Sequence, residues 1–215
     1  MEFEARTGQR ILERYGMTET GMLTSNPLVG DRRAGSVGPP LPGVQVRVMD
    51  DDDKPCATGG IGHVQVKGAN VFPGYWRMPE RNKEEFTADG WFRTGDMGSL
   101  SADGYLTIVG RSKDLIITGG YNVYPKEIEL AIDELEGVKE SAVVGVPHTD
   151  FGEAVTAIVV PTGTGRPSEA SIITALKAKL ANFKVPKRVH FVDDLPRNAM
   201  GKVQKNVLRE RFAKD

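Results

Sequence analysis

The feature that most constrains this chain is a change of hydrophobic period near residue 110. Before it, Val44, Val46 and Val48 alternate with Gln45, Arg47 and Met49, and Val64 and Val66 alternate with Gln65 and Lys67. Period 2 is the signature of strands with one covered face. Gly59-Gly60, Pro73-Gly74, Asp89-Gly90 and Asp103-Gly104 supply the turns between such runs. After residue 110 helices separate the strands. Pro125 opens a helix whose Ile128, Ile132 and Leu135 fall on one side, because i, i+4 and i+7 return to the same face. Ser168 caps a second helix, with Ile172, Ile173, Leu176 and Leu180 turned inward. Val143–Val146, Ala154–Val160 and Val189–Val192 read as strands, Leu195–Lys202 as a loop and Asn206–Phe212 as a terminal helix.

The expected fold is therefore α+β. A distorted antiparallel β-barrel subdomain over about residues 30–109 is followed by a small α+β domain, 114–215, with residues 110–113 (Gly-Arg-Ser-Lys) between them. Residues 8–14 read as a short helix and Tyr15–Thr20 as a polar loop.

Composition narrows the function classes. Lys+Arg 28 against Asp+Glu 29 excludes a polybasic nucleic-acid arm and an acidic tail. The single cysteine, Cys56, forms no internal disulfide and offers no CxxC spacing, which favours a reducing compartment, the cytoplasm. The apolar runs fall far short of the roughly 20 residues a bilayer requires. Gly 25 and Pro 13 exceed an ordinary combined share of about 12%, so turns are many.

Four stretches are polar where a structural loop could have been bland. Tyr15-Gly16-Met17-Thr18-Glu19-Thr20 offers an aromatic face, a hydroxyl and a carboxylate able to hold a divalent cation; on its own, a turn with a solvated Glu19 is the better account. Trp91-Phe92-Arg93-Thr94-Gly95-Asp96 places a carboxylate where it can accept from both hydroxyls of a ribose, and a turn-capping Asp96 accounts for it equally well. The third runs from Gly110 to Glu129, with Arg111, Lys113 and the Gly119-Gly120 pair ahead of a helix start; its backbone can approach a ligand closely. The fourth, Leu195–Lys205, carries Lys202 in a loop after Pro196 and Gly201. His63, His148 and His190 have no metal-ligand spacing, and Asp50–Lys54 reads as a solvated turn between two strands.

In order and spacing the four stretches resemble the C-terminal half of the adenylate-forming superfamily, which includes acyl-CoA synthetases, the adenylation domains of peptide synthetases and luciferases. The resemblance covers essentially the whole chain. Arg14–Thr20, Thr24-Ser25-Asn26-Pro27, Gly74–Glu80 and Val192–Lys205 are most similar to malonyl-CoA synthetases. The resemblance implies two half-reactions. A carboxylate attacks the α-phosphate of MgATP to give an acyl-adenylate and pyrophosphate, and the thiol of coenzyme A then displaces AMP.

Carried over residue by residue, the resemblance implies that Tyr15 stacks on adenine, Thr18 meets a phosphate oxygen and Glu19 helps hold Mg2+. Asp96 accepts the ribose hydroxyls and Arg111 reinforces that contact. Lys202 bridges carboxylate and α-phosphate. Lys113 is the hinge about which the C-terminal domain turns, withdrawing Lys202 and presenting Gly119 and Gly120 to the pantetheine tunnel. Lys184, Lys187 and Arg188 either meet coenzyme A phosphates or form a solvated basic turn. An acetyltransferase acting on Lys202 would switch the first half-reaction off.

The superfamily's Ser/Thr/Gly-rich phosphate loop, most of the acyl pocket and the arginine thought to pair with the distal carboxylate of malonate belong upstream and are not in this sequence. The expectation is a fragment whose partner is the N-terminal portion of its own enzyme, inactive alone. Its first 30 or so residues, deprived of neighbours, are expected to be poorly ordered or packed against another copy.

Overall fold

The computed structural model describes residues 2–163 and 165–213. The chain divides into two compact units, Met1–Ser112 and Lys113–Asp215. Its class is α+β, as the change of period implies.

The first unit begins with helix α1, Glu2–Thr7. The helix expected at 8–14 is absent because Gly8, at φ +67°, ends α1 and residues 8–13 have no regular structure. Strands β1, Arg14–Met17, and β2, Gly21–Ser25, form an antiparallel hairpin. Gly16 is required there, since a Cβ at that position would lie 2.2 Å from the Gly21 carbonyl oxygen. This hairpin corrects the expectation of a poorly ordered beginning over Arg14–Ser25. The two strands satisfy each other's backbone groups, Leu23 is wholly buried, and Asn26 is locked by donating to the Ser36 carbonyl at 2.6 Å and accepting from the Arg33 N–H at 3.0 Å.

Strands β3, Val44–Met49, and β4, Gly62–Gly68, follow, then helix α2, Pro79–Glu85, and strands β5, Phe92–Leu100, and β6, Leu106–Arg111. The four strands pair antiparallel in the order β3-β4-β5-β6. The sheet is open. The expected barrel does not close among the described residues, because β3 and β6 remain at opposite edges and four strands are too few to wrap around a filled interior. Val46 faces Val66 and Val48 faces Val64 across the ladder. One sheet face thus carries the core of Leu23, Val48, Val64, Val66, Phe92 and Leu106. Phe72 and Phe86 pack on Phe92 with ring centroids 5.3 and 5.2 Å away. Asp50–Lys54 is a turn, as read, and also a tied one: Asp53 makes a two-pronged pair with Arg93 at 2.7 and 2.6 Å.

The second unit opens with the hairpin of β7, Ile116–Thr118, and β8, Tyr121–Val123, and helix α3, Pro125–Asp133. Strands β9, Val138–His148, and β10, Gly152–Pro161, then form a long antiparallel pair. Helix α4, Glu169–Lys179, carries the expected cap as a full capping box with Ser171. Strand β11, Arg188–Phe191, runs parallel to β10, and helix α5, Lys205–Phe212, ends the described chain.

The near-continuous apolar run of β10 has a simple cause. Its alternate residues Val155, Ala157 and Val159 face Ile128, Ile132, Ile172 and Leu176 from α3 and α4. Ile158 and Val160 join a second cluster with Leu208 and Phe212 from α5. A strand covered on both faces has no polar side to alternate with. Truncating Leu208, which is fully buried, to Ala is expected to cost about 2–5 kcal/mol. Urea unfolding of the chain followed by far-UV circular dichroism would show it as a lower midpoint. No helix among the described residues is long and apolar enough to cross a membrane.

Candidate functional site

In the first unit three of the residues singled out from sequence converge. Asp96 lies on β5 directly opposite Arg111 on β6 in the strand register, so both side chains emerge on the same face. Asp96 is buried at 5% exposure. Its Oδ1 accepts from Arg111 Nε at 2.8 Å, and its Oδ2 accepts from the Tyr15 hydroxyl, reaching across from β1. Burial, and then the adjacent Asp96 charge, push the Tyr15 phenol well above its ordinary range. Tyr15 is therefore the neutral donor and the Asp96 carboxylate the acceptor.

Thr94 shapes this corner. Its hydroxyl donates to the Val64 carbonyl at 2.8 Å and accepts from the Asp96 N–H at 3.1 Å, and its carbonyl accepts from Arg111 Nη1 at 3.3 Å. Sequence reading passed over Thr94, although its place two residues before the carboxylate is the usual spacing of a side-chain-to-backbone turn.

Thr18, Glu19 and Thr20 form the turn between β1 and β2. Thr18 is exposed and Glu19 half-buried. Glu19 Oε1 accepts from the Tyr75 hydroxyl at 3.0 Å, an interaction that spacing did not foreshadow. Tyr75 is held in turn by Asn82 of α2, which accepts from its N–H at 2.7 Å and donates to its carbonyl at 3.0 Å. Arg81 lies over the Tyr75 ring, 4.0 Å from the centroid. Burial and the Glu19 carboxylate raise the Tyr75 phenol.

The donor set can be tested against the groups that the resemblance implies. A carboxylate, with about four lone-pair directions, is the chemical type that suits a vicinal diol. Mg2+ is commonly held by one or two carboxylates plus phosphate oxygens. The half-buried Glu19 fits that pattern, and no cluster of three or more metal-ligating side chains exists among the described residues. A cleft of about 470 Å³ elsewhere in the unit, lined by Lys67, Phe72 and Phe86 among others, includes none of these residues. What this unit brings together is an aromatic ring, a carboxylate and a guanidinium.

The second unit carries the other residues. Gly119 and Gly120 are the two central residues of the β7–β8 turn, with φ of +55° and +81°. Both being positive is the condition for a tight two-residue hairpin. No atom lies within 4 Å of a Cβ placed on Gly120, so the turn's backbone is open to approach. It is fixed from below by the Gly119 N–H donating to the Phe151 carbonyl at 2.9 Å and the Ile117 N–H donating to Glu153 at 2.7 Å. Lys113 sits in a short 3-10 turn, Ser112–Asp114. Its carbonyl accepts from Arg209 of α5 at 3.1 Å, and the same guanidinium pairs with Asp114 at 2.7 Å. Lys184 is paired with Glu127 at 2.7 Å, while Lys187 lies over the Phe151 ring, 5.0 Å from its centroid. Lys202 is exposed, in the loop that precedes α5.

Comparison with known proteins gives a concordant set of relatives. Residues 127–202 match the family described as the AMP-binding enzyme C-terminal domain, and residues 1–76 match the AMP-binding enzyme family. A crystal structure of ATP-bound MatB from Rhodopseudomonas palustris superimposes with a TM-score of 0.95 and 60% identity, covering 99% of this chain and 42% of that one. The malonate–CoA ligase of Arabidopsis thaliana is 44% identical over 97% of this chain and 36% of its own length. The sulfoacetate–CoA ligase of Cupriavidus necator is 44% identical over 94% of this chain and 40% of its own. The chain thus spans about two-fifths of the length of the relatives it matches.

Proposed function

The chain belongs to the adenylate-forming, AMP-binding enzyme family, and on that premise we propose that it is the C-terminal portion of an acyl-CoA synthetase that converts malonate, ATP and coenzyme A to malonyl-CoA, AMP and pyrophosphate. The observation that carries this reading is the 60% identity to ATP-bound MatB across 99% of the chain, supported by the likeness to a malonate–CoA ligase. Another relative is named for sulfoacetate, which shares with malonate a carboxylate and a second anionic group separated by a single methylene. A small dianionic acid is therefore the substrate class, and malonate the choice within it.

In this reading the Tyr15–Asp96–Arg111 corner of the first unit receives the nucleotide. The Tyr15 ring faces the adenine while its hydroxyl steadies Asp96. Asp96 accepts the ribose hydroxyls, and Arg111 holds its charge in place. Thr18 donates to a phosphate oxygen, and Glu19 would hold Mg2+, which when bound would neutralise phosphate charge. The exposed ammonium of Lys202 is delivered to the carboxylate and the α-phosphate, placing positive charge where the in-line displacement concentrates negative charge. Lys113, a short-turn residue between two compact units, absorbs the change of backbone angle between half-reactions. The open Gly119-Gly120 turn then lets the pantetheine arm pass close to the backbone.

The test is a substrate panel on the full-length protein, following pyrophosphate release and thioester formation with malonate, methylmalonate, sulfoacetate, acetate and octanoate. Malonate is expected to give a kcat/KM at least tenfold above each of the others. That factor corresponds to about 1.4 kcal/mol of discrimination, the scale of one matched polar contact. A preference for octanoate would overturn the dianionic assignment.

A further inference from the structure

Every residue from Arg197 to Lys202 is exposed, with Met200 at 75%. No packing gives this loop its shape, so polar contacts must. They centre on one side chain. Asn198 Oδ1 accepts from the backbone N–H of Met200 and of Lys202, both at 3.0 Å. The Asn198 N–H donates to the Lys202 carbonyl at 2.9 Å, and the Gly201 N–H donates to the Asn198 carbonyl at 2.9 Å. Both backbone polar groups of Lys202 therefore end on Asn198.

The neck of the loop is closed separately. Arg197 bridges to Val203, donates to the Gly201 carbonyl at 2.7 Å and pairs with Glu140 on β9. The Gln204 N–H donates to the Pro196 carbonyl at 2.8 Å. Lys205 then locks the start of α5 by pairing at 2.5 Å with Glu129, which is 7% exposed and also accepts from the Val143 N–H at 2.9 Å.

We propose that Asn198 is a positioning residue for Lys202: it fixes the backbone from which the lysine extends, and so sets where the ammonium arrives in adenylate formation. The proposal rests on the reading that Lys202 acts in that step. A lysine side chain is long and flexible, so its only firm reference is its own Cα. Freeing that reference spreads the ammonium over positions an ångström or more from the productive one. Misplacement of about 1 Å is enough to cost on the order of a hundredfold in rate. Removing the amide leaves the neck of the loop closed, because Arg197, Gln204 and Lys205 use none of its atoms. The loop stays attached while its tip loses definition.

The experiment uses the full-length enzyme with Asn198→Ala, Asn198→Asp and Lys202→Ala, and assays each half-reaction alone. Asn198→Ala is expected to lower kcat for carboxylate-dependent pyrophosphate exchange by roughly tenfold to a hundredfold. The KM for ATP should stay within about twofold, and coenzyme A attack on a supplied acyl-adenylate should be unchanged. Asn198→Asp keeps the oxygen that both N–H groups use and is expected to recover most of the loss. A merely structural role would depress both half-reactions together and would spare neither substitution. If Lys202→Ala abolishes exchange while Asn198→Ala leaves it intact, the positioning role is wrong and the reading of Lys202 stands. If Lys202→Ala leaves exchange intact, the reading falls and this inference with it.

Discussion

Lys202→Ala in the full-length enzyme is expected to slow acyl-adenylate formation by roughly a hundredfold or more, about 3 kcal/mol of transition-state stabilisation, while coenzyme A attack on a supplied acyl-adenylate proceeds near its original rate. The asymmetry follows from charge. On the proposed reading, a carboxylate and a triphosphate, both anionic, approach one another in the first half-reaction, and the Lys202 ammonium between them would offset a repulsion that grows toward the transition state. In the second, the leaving group is AMP and the nucleophile a thiol, and the ammonium is no longer needed at the carbonyl. Pyrophosphate exchange and single-turnover thioester formation separate the two. Equal loss in both would remove the assignment of Lys202 to the first step.

The second large effect is expected at Asp96. Replacing it with Ala removes a buried carboxylate from between two donors, the Tyr15 hydroxyl and Arg111. Arg111 is 45% exposed and can turn to water. Tyr15 has less access to solvent and bears most of the cost, about 1–3 kcal/mol for a buried donor left without its partner. Trp76 and Trp91, the chain's two tryptophans, both lie in the first unit, so their fluorescence in urea would report the loss of stability. The same substitution is expected to raise the KM for ATP roughly tenfold to a hundredfold, because hydrogen bonds to a charged carboxylate are worth about 1.5–3 kcal/mol. Asp96→Asn keeps an acceptor for Tyr15 and should restore stability more than nucleotide affinity. An unchanged KM for ATP in the Ala variant would remove Asp96 from the nucleotide site.

What the sequence made legible was local. The Ser168 cap, the helix opened by Pro125, the turn at Asp50–Lys54 and the run of β10 were each readable because propensity, spacing and turn chemistry act over a few residues. The polar stretches holding Tyr15, Asp96, Arg111 and Lys202 stood out for the same reason. What linked them was not legible. The Tyr15–Asp96 bond spans 81 positions and depends on a hairpin bringing Tyr15 to an interior strand of a separate sheet, which no period reveals. The barrel was misjudged because alternation shows that a strand has one covered face, but does not show whether the last strand meets the first. Asn198 was missed because its partners are backbone groups, which leave no mark on residue type.

The opposition of Asp96 and Arg111 across β5 and β6 sets a rule about length rather than identity. Residues 97–110 form the remainder of that hairpin, and their side chains are free to vary within the needs of the core. Their number is constrained too: the ladder already absorbs one extra residue of β6, Val109, at a bulge beside Met97 and Gly98, and losing that residue with the turn unchanged would slide the register and turn the carboxylate and the guanidinium to opposite faces. Variation in this stretch is therefore expected as substitution, with gaps confined to the turn where a compensating change can restore the count.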